Sequence, residues 1–156
     1  MKSAEPARRP RVLAASSGGG HWVELLRVIP AFAGCDVSYV TVSRDYRGDI
    51  GTAPFYLVND ATRWNPFRAI ELVVRMFVVV LLVRPHVVVS TGAAPGYFAV
   101  RFGRLLGART IWIDSLANVE QLSKAGQMAG RYANLWLTQW PALARAGGPS
   151  FAGQVI

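Results

Sequence analysis

Apolar residues along the chain fall into two rhythms. Short runs of β-branched and aliphatic residues alternate with longer stretches in which apolar positions recur every three or four residues. The short runs predict strands at Arg11–Ala15, Val37–Val42, Phe55–Val58, Val87–Ser90, Thr110–Ile113 and Leu135–Thr138. The longer stretches predict helices over His21–Ala33, Pro66–Val83, Gly96–Leu106, Lys124–Ala133 and a short one over Pro141–Ala146. In the first of these Val23, Leu26 and Ile29 fall on one side, with Glu24 and Arg27 on another. Pro66 stands in the favoured first turn of its helix, and Pro85 lies just past its end. Val87–Ser90 is uninterrupted by charge, as in strands covered on both faces. Strands that alternate with helices in this way predict an α/β fold, a doubly wound and mostly parallel sheet. Residues 1–10 are polar, carry Arg and Pro, and read as a flexible basic lead-in to one domain over residues 11–156.

Composition sharpens this picture in two places. The chain is 52% hydrophobic but only 17% charged, so more apolar surface is available than one small core absorbs. The excess calls for a membrane or a partner subunit. The formal net charge is +8, and no acidic residue occurs between Leu72 and Ile113 or after Glu120. That imbalance suits anionic partners such as lipid headgroups, phosphates or nucleic acid; the rival account is an arginine-rich composition with no such role. The aromatic residues are not interleaved with basic ones, which argues against nucleic acid. Cys35 is the only cysteine and His21 and His86 the only histidines, so no zinc-ligand spacing exists. The longest uncharged apolar run, Met76–Val83, is too short to span a bilayer.

In a doubly wound sheet, ligands bind beyond the carboxyl ends of the strands. Three segments land there. Ser16-Ser17-Gly18-Gly19-Gly20-His21 joins the first strand to the first helix. Its glycines let the backbone approach a phosphate, and the helix N-terminus adds free N–H groups. The segment is neither a P-loop nor a dinucleotide fingerprint, since Val23 stands where a third glycine belongs. His21 suits a general base, a phosphate donor, or simply a helix-start residue. Ser90-Thr91-Gly92-Ala93-Ala94-Pro95-Gly96 is a second small-residue turn, and Ser90, Thr91, Gly92 and Gly96 are candidate phosphate or sugar contacts or parts of an ordinary strand-to-helix turn. Asp114, followed by Ser115, Asn118 and Glu120, ends the Thr110–Ile113 strand and faces the same crevice, as a proton acceptor or as a cap for the next helix.

The Pro66–Val83 helix carries a polar stripe of Arg68, Glu71 and Arg75 that vanishes in the last two turns. A helix apolar all round is either buried or dips into something apolar. Trp64, Phe67, Arg68, Arg75, Phe77, Leu81 and Arg84 are the candidate membrane contacts, with Arg63 beside them; burial against the neighbouring strand is the rival account.

Taken together, Ser17-Gly18-Gly19-Gly20-His21, Val88–Gly96, Ile113-Asp114-Ser115 and Leu137-Thr138-Gln139-Trp140-Pro141 resemble the acceptor-side subunit of split GT-B glycosyltransferases. Relatives of that kind are the membrane-recruiting subunit of the eukaryotic dolichol-linked N-acetylglucosamine transferase, the PssD-type subunits of bacterial exopolysaccharide synthesis and, more distantly, MurG. The resemblance covers roughly residues 11–156. It implies the N-terminal half of a GT-B fold, with a second, donor-binding subunit supplying the half that holds a UDP-sugar. It further implies a polyprenyl-diphosphate-linked saccharide as acceptor, peripheral attachment to the cytoplasmic face of the inner membrane, and no cofactor or metal. On this basis His21 and Asp114 are the candidate catalytic residues, and Ser16, Ser17, Gly18, Gly19, Gly20, Ser90, Thr91, Gly92 and Gly96 line the acceptor side. Gln139, Trp140 and Pro141 are expected near the partner. Many relatives carry Glu where this chain has Asp114, which shortens the reach of that carboxylate. Two rivals stand beside this: a non-catalytic membrane scaffold, and an NADP-dependent oxidoreductase whose Ser43-Arg44 would hold a 2′-phosphate.

Overall fold

The computed structural model describes residues 8–60 and 66–156; Arg63 and Trp64 lie outside the described residues, as does most of the lead-in. Strands β1 (Arg11–Ala15), β2 (Asp36–Thr41), β3 (Phe55–Leu57), β4 (Val87–Ser90), β5 (Arg109–Ile113), β6 (Leu135–Thr138) and β7 (Ser150–Phe151) form one sheet in the order β3-β2-β1-β4-β5-β6-β7. Every pairing is parallel, with Leu13 opposite both Ser38 and Val88. The sheet is thus wholly, not mostly, parallel, and its Rossmann-like order places the topological switch between β1 and β4. Val12, Leu13, Ala14 and Ala15 of the central strand are fully buried, as a strand covered on both faces requires.

One face is covered by α2 (Pro66–Val83), α3 (Ala93–Leu105) and α4 (Lys124–Ala129), packed over Leu13, Val40, Val88 and Trp112. The other is covered mainly by α1 (Gly20–Val28) and the 3-10 turns Ile29–Phe32 and Arg44–Ile50, over Val12, Ala14, Tyr39, Val89 and Ile113. The first helix ends as an α-helix before Pro30, which lacks an N–H and sits in the first turn of the 3-10 segment. Its buried face differs from the one its sequence suggests. Trp22 and Leu25 point into the core and Val23 is 47% exposed, while Glu24 is buried. Several strand and helix ends shift by one residue, and three differences are larger. The third helix starts at Ala93, the fourth stops at Ala129, and residues 141–143 form a single 3-10 turn. Strand β7 has no counterpart in the hydrophobic pattern, because two paired residues leave no periodic trace.

Helix α2 divides into a buried and an exposed apolar face, so burial accounts for only one of them. Leu72, Met76, Val79, Val80 and Val83 are buried in the core. Phe67, Ile70, Val74, Phe77, Val78, Leu81 and Leu82 are exposed, and Leu105 and Leu106 at the end of α3 are exposed as well. Glu71 and Arg75 form an ion pair of 2.9 Å on the third side, so the Arg75 charge is locally compensated. Among the described residues, no helix is long and apolar enough to cross a membrane.

Candidate functional site

The loops after β1 and β4 meet at the switch point. Gly19 ends the first loop with φ 63°, and its carbonyl accepts from the amides of Trp22 and Val23 as α1 begins. The amides of Gly20 and His21 have no acceptor among the described residues, which leaves the helix N-terminus able to receive an anion. His21 is half-buried and reaches across to the second loop. Its Nδ1 lies 2.9 Å from the Thr91 carbonyl oxygen, and the Thr91 hydroxyl donates back to the His21 carbonyl at 2.6 Å. A carbonyl oxygen only accepts, so Nδ1 carries a proton, and in the neutral ring the lone pair is therefore on Nε2. The reciprocal bonds therefore fix both the ring and its tautomer.

Gly92 makes this arrangement sterically feasible. Its φ of 141° and ψ of −177° lie where only glycine is comfortable. A Cβ built there would stand 2.5 Å from Nδ1 and Cε1 of the His21 ring. Ser90 and Gly96 serve the turn from inside. Ser90 is fully buried and its Oγ accepts from the Gly92 amide at 3.1 Å. A Cβ on Gly96 would run into that same Ser90 side chain, so Gly96 is a packing position between α3 and the sheet. In the first loop, Ser16 is fully buried and its hydroxyl donates to the Ser17 carbonyl, which also accepts from Thr41. Of these two loops, Gly18, Gly19, Gly20 and His21 remain accessible, and Thr91 and Gly92 are buried behind the His21 ring.

Asp114 has a different place from the one its position at a strand end suggests. It is 1% exposed. Its carboxylate accepts four hydrogen bonds, from Trp112 Nε1, Asn118 Nδ2, and both the amide and the hydroxyl of Ser123. Those bonds shape the β5–α4 connection and leave no oxygen turned toward the crevice. The role of free proton acceptor is therefore corrected to that of a loop anchor. Gln139 is corrected likewise. It is 1% exposed, its Nε2 donates to the Asp114 carbonyl and to Glu24, and its Oε1 accepts from the Val155 amide at 2.7 Å. It cannot meet a partner directly, whereas Pro141 is exposed and Trp140 is half-buried with its Nε1 on the Leu116 carbonyl.

Glu24 is the residue the sequence reading missed. Its carboxylate accepts from the Ser115 hydroxyl, the Leu116 amide and Gln139 Nε2, at 3.0, 3.1 and 3.3 Å. One buried side chain thus ties α1, which carries His21, to the loops after β5 and β6. The only local sign was a carboxylate next to Trp22 and Leu25 on the inner side of the helix. At Ser43-Arg44, where the rival oxidoreductase reading would seat a 2′-phosphate, the Ser43 hydroxyl instead donates to Asp45 Oδ2 at 2.8 Å.

No family model matches the chain. The UDP-N-acetylglucosamine transferase subunit ALG14 of Yarrowia lipolytica is 29% identical over 163 residues, spanning 86% of this chain and 76% of that protein. The chain resembles this transferase subunit over most of its length. ALG14 of Eremothecium gossypii is 34% identical over a shorter stretch, 39% of this chain and 30% of that protein. Among solved structures, MurG of Acinetobacter baumannii superposes with a TM-score of 0.75 at 17% identity, over 92% of this chain. The UDP-GlcNAc 2-epimerase of Methanocaldococcus jannaschii superposes with a TM-score of 0.64 at 10% identity, over 82% of this chain. These likenesses establish the Rossmann-like fold read from the sequence. This chain spans 45% of the MurG chain and 39% of the epimerase chain.

Proposed function

We propose that this chain is the acceptor-side subunit of a two-component glycosyltransferase. It holds a polyprenyl-diphosphate-linked saccharide at the membrane while a donor-binding subunit presents the UDP-sugar. The ALG14 similarity supports the subunit assignment, and the fold shared with MurG is compatible with an acceptor-side domain. The observation that carries the chemistry is the bond between His21 Nδ1 and the Thr91 carbonyl. It leaves Nε2 as a proton acceptor beside two loops whose backbone suits a diphosphate. In the step that follows, the acceptor hydroxyl attacks the anomeric carbon of the donor and loses its proton to Nε2. The bond from that carbon to the UDP oxygen breaks, UDP leaves with the electron pair, and the configuration inverts. Asp114 and Glu24 act on this step only by holding the loops. In this reading the donor-binding subunit supplies the opposing wall of the crevice, because transfer to a sugar must exclude water.

The expected result for His21→Ala is a loss of roughly 10²-fold or more in kcat, the usual contribution of a positioned base. Complex formation with the donor-binding subunit should be unchanged, since His21 bonds only within its own loops. Turnover by the co-expressed pair with a UDP-sugar and a short polyprenyl-diphosphate acceptor measures this. Wild-type turnover in the variant removes His21 from the reaction.

The outer face of α2 is the membrane contact in this scheme, resting peripherally on the cytoplasmic leaflet. Ile70, Val74 and Leu82 are 61%, 55% and 67% exposed, so changing all three to Ser leaves the core intact. Their burial in a lipid interface is worth enough that cosedimentation with anionic vesicles should weaken by roughly tenfold or more. Undiminished vesicle binding with a normal unfolding curve places the membrane contact elsewhere.

A further inference from the structure

We propose that Tyr46 is a binding residue for the acceptor's diphosphate, its phenol extending the first glycine loop by one donor. Tyr46 lies in the 3-10 segment Arg44–Ile50, which follows the carboxyl end of β2 and so borders the same crevice as the two glycine loops. Its hydroxyl oxygen accepts from the Gly19 amide at 2.7 Å. An oxygen that accepts keeps its own proton for donation. Among the described residues that proton has no acceptor.

The hydroxyl is held in place from several sides. The ring stacks on Trp22, with centroids 5.0 Å apart and planes inclined by 25°. Trp22 in turn is 1% exposed and donates from Nε1 to Asp49 Oδ2 at 2.8 Å, which fastens the far end of the same segment. Gly18 admits the phenol, since a Cβ there would stand 2.8 Å from the Tyr46 oxygen. Gly19 and Gly20 have open space where a Cβ would project, so a ligand can reach the backbone beside the phenol.

Electrostatics gives the direction of the effect. The Gly19 amide polarises the phenol, and a polarised O–H is a stronger donor to an anion than a free one. The loop therefore presents a row of donors: the amides of Gly20 and His21, and the Tyr46 hydroxyl in place of the Gly19 amide it consumes. Such a row matches a diphosphate, which offers several acceptor oxygens along one edge, better than a single carboxylate. The inference rests on the acceptor reading above and adds a residue to it.

The test is Tyr46→Phe, which keeps the stack on Trp22 and removes only the hydroxyl. Geranyl diphosphate and inorganic pyrophosphate are titrated into the full chain and followed by amide NMR shifts. The expected result is about tenfold weaker binding of geranyl diphosphate, the effect of one hydrogen bond to a charged group, with an unchanged thermal unfolding curve. In the reconstituted pair, the acceptor KM should rise while the donor KM and kcat at saturating acceptor hold. Equal or tighter binding by the variant overturns the proposal; tighter binding means that the phenol plugs the loop. A loss for pyrophosphate but not for geranyl diphosphate overturns it too, because the hydroxyl then serves a free anion. If the wild-type chain binds neither compound, the acceptor reading itself falls.

Discussion

Gly92→Ala is expected to lower transfer by roughly two orders of magnitude, the scale on which small misplacements of a reacting group act. Two independent costs meet at this position. The backbone at φ 141° is one that L-residues rarely adopt. The added methyl would also lie 2.5 Å from the His21 ring, closer than real contacts allow. One of the two must move, and the imidazole is the softer partner, because Gly92 is anchored by its amide to the buried Ser90 Oγ. Moving the ring breaks the bond to the Thr91 carbonyl that sets its tautomer. The loss should therefore appear in kcat, since the proton acceptor is no longer held in one tautomer and orientation. A variant that keeps wild-type kcat, with circular dichroism confirming a normal fold, shows that His21 orientation is irrelevant to turnover. The double variant Gly92→Ala/His21→Ala separates the two costs. Its activity should match that of His21→Ala alone, because both changes remove the same group.

Much of this architecture is legible along the chain because the governing forces are local. Val87–Ser90 and Leu135–Thr138 emerge with the ends the sequence predicts, since charge-free β-branched and aliphatic runs between turns have few other uses. The glycine loops are legible for the same reason, since small residues between a strand and a helix restrict the geometry to a tight turn. The two loops also meet, as a parallel sheet with its switch at β1 and β4 requires. What stays hidden is set by partners far away in sequence. Glu24 reads as a surface carboxylate until Ser115, Leu116 and Gln139 are brought to it by the β5 and β6 connections. The outer face of α2 is a subtler case. Its composition tells that the helix is apolar all round, but only the tertiary packing divides Met76, buried in the core, from Phe77, which meets Phe102 of α3 and still stays 41% exposed. Tyr46 sits among polar turn residues, and nothing in Ser43–Gly51 announces that its oxygen closes on Gly19. The candidate contacts therefore sort by range. The loop backbones were readable, whereas the side chains that brace them belong to the tertiary fold.

Asp114→Ala should have the largest effect on stability, and this choice follows from that sorting. The substitution removes the acceptor of four hydrogen bonds at a position 1% exposed. The fully buried Trp112 Nε1 then loses its partner without gaining water, and the Ser123 amide and hydroxyl and Asn118 lose theirs, at a cost of roughly 3 kcal/mol in total. Urea unfolding measures this as a lower midpoint with an unchanged slope. Asp114→Asn should lie between wild type and Ala. Its single acceptor oxygen satisfies one pair of donors, while its NH2 group opposes either the Trp112 indole or the Ser123 amide. Asp114→Glu should fare no better, even though the resemblance allows Glu here. A Cβ on Gly126 would already collide with the Asp114 carboxylate, so there is no room for another methylene without moving α4. The competing account makes Asp114 a free base in the crevice. It requires the opposite pattern, with turnover lost in Asp114→Ala and the unfolding midpoint nearly unmoved. Measuring midpoint and kcat on the same three variants decides between the two, because a loop anchor couples them in rank order and a free base does not.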